Sequence, residues 1–295
     1  MDKIRGIYSA LITPMHADES VDYEMIARLV ERQISQGVGG FYCCGSSGEA
    51  LLLSLEERKR IAATVVKAVA GRVPVIAHVG TIRTADAVEL AASAYGDGVV
   101  AVSMIPPYYY KFSQDEIIGY YEDVVVKSGA PVIIYNIPQF TGVAFTKDNS
   151  RRLLENPKVV GVKHTSTDLY ALERMRSAFP DKVYFNGFDE MFLSALAAGA
   201  DSAIGTTVNL FAPRFNLIRQ LFLQGEMSQA LVEQEKVNQG VELFVRHGIF
   251  NAVKYALSLD GLECGRCRAP FKPLTAQAQV EIRQGMEMLS CSLSS

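Results

Sequence analysis

Along the first three quarters of the chain one unit of hydrophobic and polar positions recurs: a short apolar run, a loop of Gly, Pro or hydroxyl residues, then an apolar stripe at helical spacing. The apolar runs read as strands at 7–12, 39–44, 74–79, 98–103, 131–135, 159–163, 182–186 and 201–205. The helices between them open on caps and acids: Asp22-Tyr23-Glu24, Ser54-Leu55-Glu56-Glu57, Thr84-Ala85-Asp86, Ser113-Gln114-Asp115-Glu116, Thr146-Lys147-Asp148 and Thr167-Asp168. Ser54 with Glu57 has the spacing of a capping box. Eight alternating units with no Gly-x-Gly-x-x-Gly turn after the first strand predict an α/β fold of the closed (β/α)8 barrel type, a TIM barrel, over residues 1–224. After that the alternation stops. Helices at 226–246, 249–258 and 275–290 read as a C-terminal helical extension, 225–295, packed on the barrel, with an independent helical domain as the alternative.

Composition adds exclusions. At 49% hydrophobic and 21% charged the chain is an ordinary globular protein, and a net charge of −3 offers no footprint for nucleic acid or an anionic membrane surface. The opening residues, Met1-Asp2-Lys3-Ile4-Arg5, lack the apolar core of a signal peptide, and no run approaches a membrane span, so a cytoplasmic protein is expected. Five cysteines are too few and too irregular for a disulfide framework. Cys264-Gly265-Arg266-Cys267 is a lone C-x-x-C without a second pair or neighbouring histidines, so no metal is expected there. Cys43-Cys44 reads as core.

The candidate chemistry starts from Val159-Val160-Gly161-Val162-Lys163, an apolar strand that ends on a lysine. An ammonium is costly to desolvate, and a lysine snorkelling into solvent is the plain explanation. The chemical one is a neutral amine that attacks a carbonyl and forms a Schiff base. An unperturbed lysine is neutral at pH 7 in only about one molecule in two thousand, so an apolar site that lowers its pKa by about three units removes most of the handicap.

In a barrel of this type the site lies where the strands end. That gathers Gly45-Ser46-Ser47-Gly48-Glu49, Pro106-Pro107-Tyr108-Tyr109-Tyr110, Tyr135-Asn136-Ile137-Pro138, Lys163-His164-Thr165, Asn186-Gly187-Phe188-Asp189-Glu190 and Gly205-Thr206-Thr207. Tyr135 and Lys163 end adjacent strands, with Val159, Gly161 and Lys163 as the expected inward set and Gly161 leaving room for the lysine stem. A phenol beside the amine suits proton transfer. Ser46 and Ser47 with free backbone N–H groups suit a carboxylate. Asp189-Glu190 stand where barrels of this type usually bind phosphate; acids there repel phosphate and favour a neutral polyol. The tyrosine run suits a sugar or a subunit interface.

Taken in order, these six motifs resemble the N-acetylneuraminate lyase and dihydrodipicolinate synthase superfamily of pyruvate-dependent class I aldolases, over nearly the whole chain and most closely its lyase branch. The resemblance implies a homotetramer that needs no metal or other cofactor and reversibly cleaves N-acetylneuraminate to N-acetylmannosamine and pyruvate. Lys163 would be the Schiff-base lysine and Tyr135 the acid/base. Ser46 and Ser47 would hold the pyruvate carboxylate and complete a proton relay, with Tyr109 reaching in from a neighbouring subunit. Thr165, Gly187, Asp189, Glu190 and Thr206 would line the sugar end. Synthase-like members carry an arginine after Tyr-Asn-x-Pro that grips a second carboxylate; here Gln139-Phe140 stand instead. Ser47 replaces a frequent threonine and Thr206 a familiar serine. A 2-keto-3-deoxy sugar acid aldolase, a synthase-like enzyme and a non-catalytic sugar-acid binding protein are the rival readings.

Overall fold

The computed structural model describes residues 4–291. Eight parallel strands close on one another in sequence order: β1 (Ile7–Ala10), β2 (Gly40–Cys43), β3 (Val75–His78), β4 (Ala101–Met104), β5 (Val132–Asn136), β6 (Val159–His164), β7 (Val183–Asn186) and β8 (Ser202–Gly205). The long barrel helices are α1 (Tyr23–Ser35), α2 (Leu55–Val69), α3 (Thr84–Asp97) and α4 (Gln114–Ser128). After β5 stand two single turns, α5 (Pro138–Thr141) and α6 (Arg151–Leu154), followed by α7 (Leu169–Ala178), α8 (Phe192–Ala197) and α9 (Val208–Leu223). The barrel is the expected one.

Local chemistry explains the boundaries. Asp22 and Asp168 accept from backbone N–H groups three residues on, and Ser54 with Glu57 and Ser113 with Glu116 close reciprocal capping boxes. Two expectations shift. Helix α3 opens at Thr84 without a side-chain cap, and Thr146-Lys147-Asp148 leads into a turn ahead of α6. The fourth strand begins at Ala101, because Gly98, at φ 108°, caps α3 in the left-handed region.

Apolar side chains separate into two layers. One fills the space between strands and helices; the other, with Tyr8, Tyr42, Ile76, Ile133, Tyr135, Phe185 and Ile204, fills the barrel itself. The register on β6 departs from simple alternation. Val132 pairs with Val159, but Ile133 pairs with Gly161, so Val160 is an extra residue. Val159 consequently packs in the outer layer and Val160 against the inner one, which corrects the expected inward set while leaving Lys163 inward. The reason for Gly161 also changes: a Cβ there would strike the Val183 carbonyl oxygen of β7.

Past the barrel run α10 (Met227–Arg246), α11 (Ile249–Leu259) and α12 (Ala276–Cys291), close to the predicted spans; 292–295 lie outside the described residues. Helix α10 lies along α9 and meets α8. Its buried Gln234 accepts from the Leu193 N–H at 2.8 Å and donates to the Asp189 carbonyl at 3.0 Å, holding the loop after β7. Cys43 and Cys44 are core, as expected. Cys264 and Cys267 are also fully buried, and burial pushes both thiols up to about 12, away from the thiolate that a metal needs. Among the described residues no helix is long and apolar enough to cross a membrane, and no cluster of His, Cys, Asp or Glu could hold a metal ion.

Candidate active site

The strand pairing places Tyr135 directly beside Lys163, one on β5 and one on β6. Lys163 is 4% exposed, so its ammonium has left bulk water. It meets aromatic faces instead of an acid: Nζ lies 4.0 Å from the centroid of the Tyr135 ring and 4.3 Å from that of Tyr42. The amine therefore sits over the phenol ring, a closer description than the simple side-by-side pair that the sequence implied.

Tyr42 is a residue that the sequence reading passed over. It points inward from β2, donates to the Ser103 hydroxyl at 3.2 Å, and burial holds its phenol protonated well above the usual range. The inward alternation applied to β6 would have found it on β2. Behind these rings lies His78, also missed. Its Nδ1–H donates to the Cys44 carbonyl at 3.1 Å and its Nε2 accepts the Ile105 N–H at 3.4 Å. Burial, and then the nearby Arg58 guanidinium, push the imidazole well below its ordinary range, so His78 is a neutral packing element with its tautomer fixed by those two bonds.

A cavity of about 280 Å³ opens above Lys163 and is lined by nine of the ten predicted residues: Ser46, Ser47, Tyr135, Lys163, Thr165, Gly187, Asp189, Glu190 and Thr206. The Ser47 and Thr206 hydroxyls touch at 2.7 Å, joining the loops after β2 and β8. Asp189 is buried and divided in its tasks. Its Oδ2 accepts from the Thr207 N–H at 2.7 Å and the Thr207 hydroxyl at 2.8 Å, whereas Oδ1 has no partner among the described residues. Desolvation, opposed by the Thr207 bonds and aided by neighbouring Glu190, raises this carboxyl to about 6. Thr165 Oγ1 is likewise buried without a partner among the described residues.

Two glycines let those oxygens pack against bare backbone. A Cβ at Gly187 would collide with Thr165 Oγ1, and one at Gly205 with Asp189 Oδ1. Both belong to residues that line the cavity, and a buried polar oxygen without a partner among the described residues carries a desolvation cost that a hydroxyl donor would relieve. Glu190 is exposed at the rim. The opposite wall is apolar, formed by Ile137 and Phe140 with Val241, Val245, Ile249 and Phe250 of the C-terminal helices; only the packing of α10 and α11 reveals it.

Tyr109 is the tenth predicted residue and does not reach the cavity within one chain. It is 86% exposed on the loop after β4, at φ 77°, with its ring edge-on to Tyr110 at 5.1 Å. A second cavity of about 360 Å³ adjoins the first at Ser46, Ile137, Phe140 and Phe250 and is lined by Leu51, Tyr108 and Phe271 among others.

Comparison with known proteins gives a consistent picture. Residues 3–289 match the dihydrodipicolinate synthetase family. An N-acetylneuraminate lyase of Rhizobium meliloti is 40% identical over 284 residues, 96% of this chain and 95% of that one. The crystal structure of N-acetylneuraminate lyase from Fusobacterium nucleatum complexed with pyruvate is 36% identical with a TM-score of 0.93, covering 97% of each chain. A catalytic lysine mutant of a Ruminococcus gnavus sialic acid aldolase is 29% identical with a TM-score of 0.97, covering 100% of this chain and 98% of that one. Lys163 next to the end of β6, the cavity above it and these likenesses over the full length agree: the chain belongs to the dihydrodipicolinate synthetase family, among its N-acetylneuraminate lyases.

Proposed function

We propose that this lyase reversibly cleaves N-acetylneuraminate to N-acetylmannosamine and pyruvate through a Schiff base on Lys163. The observation that carries the reading is the buried Lys163 amine at the floor of a cavity whose far side presents Asp189, Glu190, Thr165 and Thr206. The lysine mutated in the Ruminococcus gnavus aldolase and the pyruvate held by the Fusobacterium nucleatum lyase support it from outside.

In the cleavage direction the Lys163 amine attacks the C2 carbonyl of the open-chain keto acid and, with the uptake of one proton that the final hydrolysis returns, water leaves, giving an iminium. Tyr135, relaying through the Ser46 and Ser47 hydroxyls, takes the proton of the C4 hydroxyl. The C3–C4 bond breaks, its electron pair enters the iminium to form an enamine, and the aldehyde departs. Protonation at C3 and hydrolysis release pyruvate and restore the amine. The lysine is the electron sink's anchor, so the chemistry calls for no metal or other cofactor. Ser46 and Ser47 hold the carboxylate; Thr165, Gly187, Asp189, Glu190 and Thr206 take the sugar hydroxyls. Gln139 and Phe140 supply no cation for a second carboxylate, which sets the substrate apart from a dicarboxylate.

Tyr109 acts from a neighbouring copy, in a cytoplasmic homotetramer. An exposed aromatic pair beside an apolar cavity that opens onto Ser46 is the arrangement that suits such an exchange. Incubation with N-acetylneuraminate and cyanoborohydride followed by intact-mass analysis tests the whole reading. A reduced pyruvate adduct mapped to Lys163 is expected. An adduct from pyruvate alone but none from N-acetylneuraminate moves the enzyme to another aldehyde, such as that of a 2-keto-3-deoxy sugar acid. No adduct from either leaves a binding protein.

A further inference from the structure

The loop that carries Ser46 and Ser47 has little of its own to hold it in place. Gly45, Ser46, Ser47 and Gly48 bring no apolar side chain to bury, and glycines widen the choice of backbone conformations. Short bonds close the turn: the Gly48 and Ala50 N–H groups donate to the Gly45 carbonyl at 3.1 and 3.2 Å, and the Glu49 N–H to the Ser46 carbonyl at 3.1 Å. The Thr13 hydroxyl donates to the Gly48 carbonyl at 2.7 Å. At the exit stands Glu49, at φ 59°, a left-handed conformation that a glutamate keeps only when its surroundings impose it.

Its side chain is held from the far end of the chain. Lys254 of α11 donates from Nζ to Glu49 Oε1 at 2.6 Å, and the Arg268 N–H donates to Oε2 at 2.7 Å. The same Nζ donates to the Arg266 carbonyl at 3.1 Å, and both side chains of the ion pair are wholly out of solvent. Arg268 in turn grips the Leu52 carbonyl at 2.7 Å and both oxygens of Glu57 on α2. A buried ion pair is a weak source of net stability, because desolvation offsets most of the attraction. Its value lies in geometry: both oxygens of the Glu49 carboxylate are committed, which ties the residue that follows Ser46-Ser47-Gly48 to the C-terminal part of the chain.

We propose that Lys254 is a positioning residue. Through Glu49 it sets the path of Gly45–Glu49 and so aims the Ser46 and Ser47 hydroxyls at the carboxylate of the keto acid. The inference rests on the pyruvate-imine reading of the site, and its effect falls first on the carboxylate end of the substrate.

The test measures pyruvate and N-acetylmannosamine KM values separately in the synthesis direction, for wild type, Lys254→Met and the double variant Glu49→Gln with Lys254→Met. Melting temperatures show which variants fold. The double variant removes both charges, so it carries the test if Lys254→Met, with its stranded carboxylate, does not fold. The pyruvate KM is expected to rise about tenfold or more, while the aldehyde KM stays within about twofold. A folded variant with both KM values unchanged, or with both raised alike, overturns the positioning role, as does a loss confined to kcat. Wild-type enzyme trapped with pyruvate and cyanoborohydride separates the two ideas. No adduct there overturns the imine reading together with this one, whereas a wild-type adduct beside an unmoved pyruvate KM overturns the role of Lys254 alone.

Discussion

Asp189 shows how burial shifts the chemistry of an ordinary side chain, and Lys163 is buried on the wall of the same cavity. Lys163→Ala is expected to abolish the reduced adduct and turnover while the fold persists, and Tyr135→Phe to slow turnover by about 10² to 10⁴ with some imine still trapped. Full activity in either variant removes the assigned role. Asp189 gives a prediction in pH. Its carboxyl sits near 6 when folded against 3.8 unfolded, so the folded state holds the proton more tightly. The stability it contributes is complete below about pH 4 and is lost as pH rises through 6, a change of about 3 kcal/mol. Asp189→Asn keeps an acceptor for Thr207 and no longer titrates. It is expected to melt higher than wild type at pH 7, to raise the KM of the sugar acid far more than that of pyruvate, and to erase an inflection near pH 6 in the sugar-acid KM. An equal effect on both KM values argues against a polyol role.

At the scale of elements, the sequence was most legible where a local rule acts alone. Ser54 and Ser113 head helices because a serine oxygen and a glutamate three residues on satisfy backbone N–H groups without help from the rest of the fold. Ser54→Ala is expected to lower stability by about 1 kcal/mol in a denaturant titration with no change in either KM, since the cap lies away from the cavity. A shift in KM would show that α2 helps to shape the site. Legibility fell where a neighbour decides. The extra residue at Val160 answers to the strand beside it, and Gly161 to a carbonyl of β7, neither of which leaves a mark in the period of the sequence. Gly98 likewise reads as the start of an apolar run, yet the left-handed cap of α3 claims it.

At the scale of the whole molecule, Tyr109 is 86% exposed and lines neither cavity within one chain. If a second copy supplies it, specific activity falls on dilution through the concentration at which the assembly dissociates, and Tyr109→Phe mixed with Lys163→Ala recovers activity that neither variant has alone. Activity that is independent of concentration down to a sedimenting monomer would refute the exchange. Removing Lys254 alone strands Glu49 in the interior and is expected to destabilise the fold by about 3 to 5 kcal/mol, most of which the Glu49→Gln partner change returns.

The sequence by itself determined the barrel, the order of its strands and nine of the residues that line the cavity, because alternation and the rule that strand ends form the site are local and directional. Only the tertiary structure decided what surrounds them. The aromatic faces over the Lys163 amine, the apolar wall from α10 and α11, the bonds from Thr207 to Asp189 and the Lys254–Glu49 pair each join residues far apart in the chain. Such contacts depend on packing geometry in three dimensions, which no period along the sequence encodes.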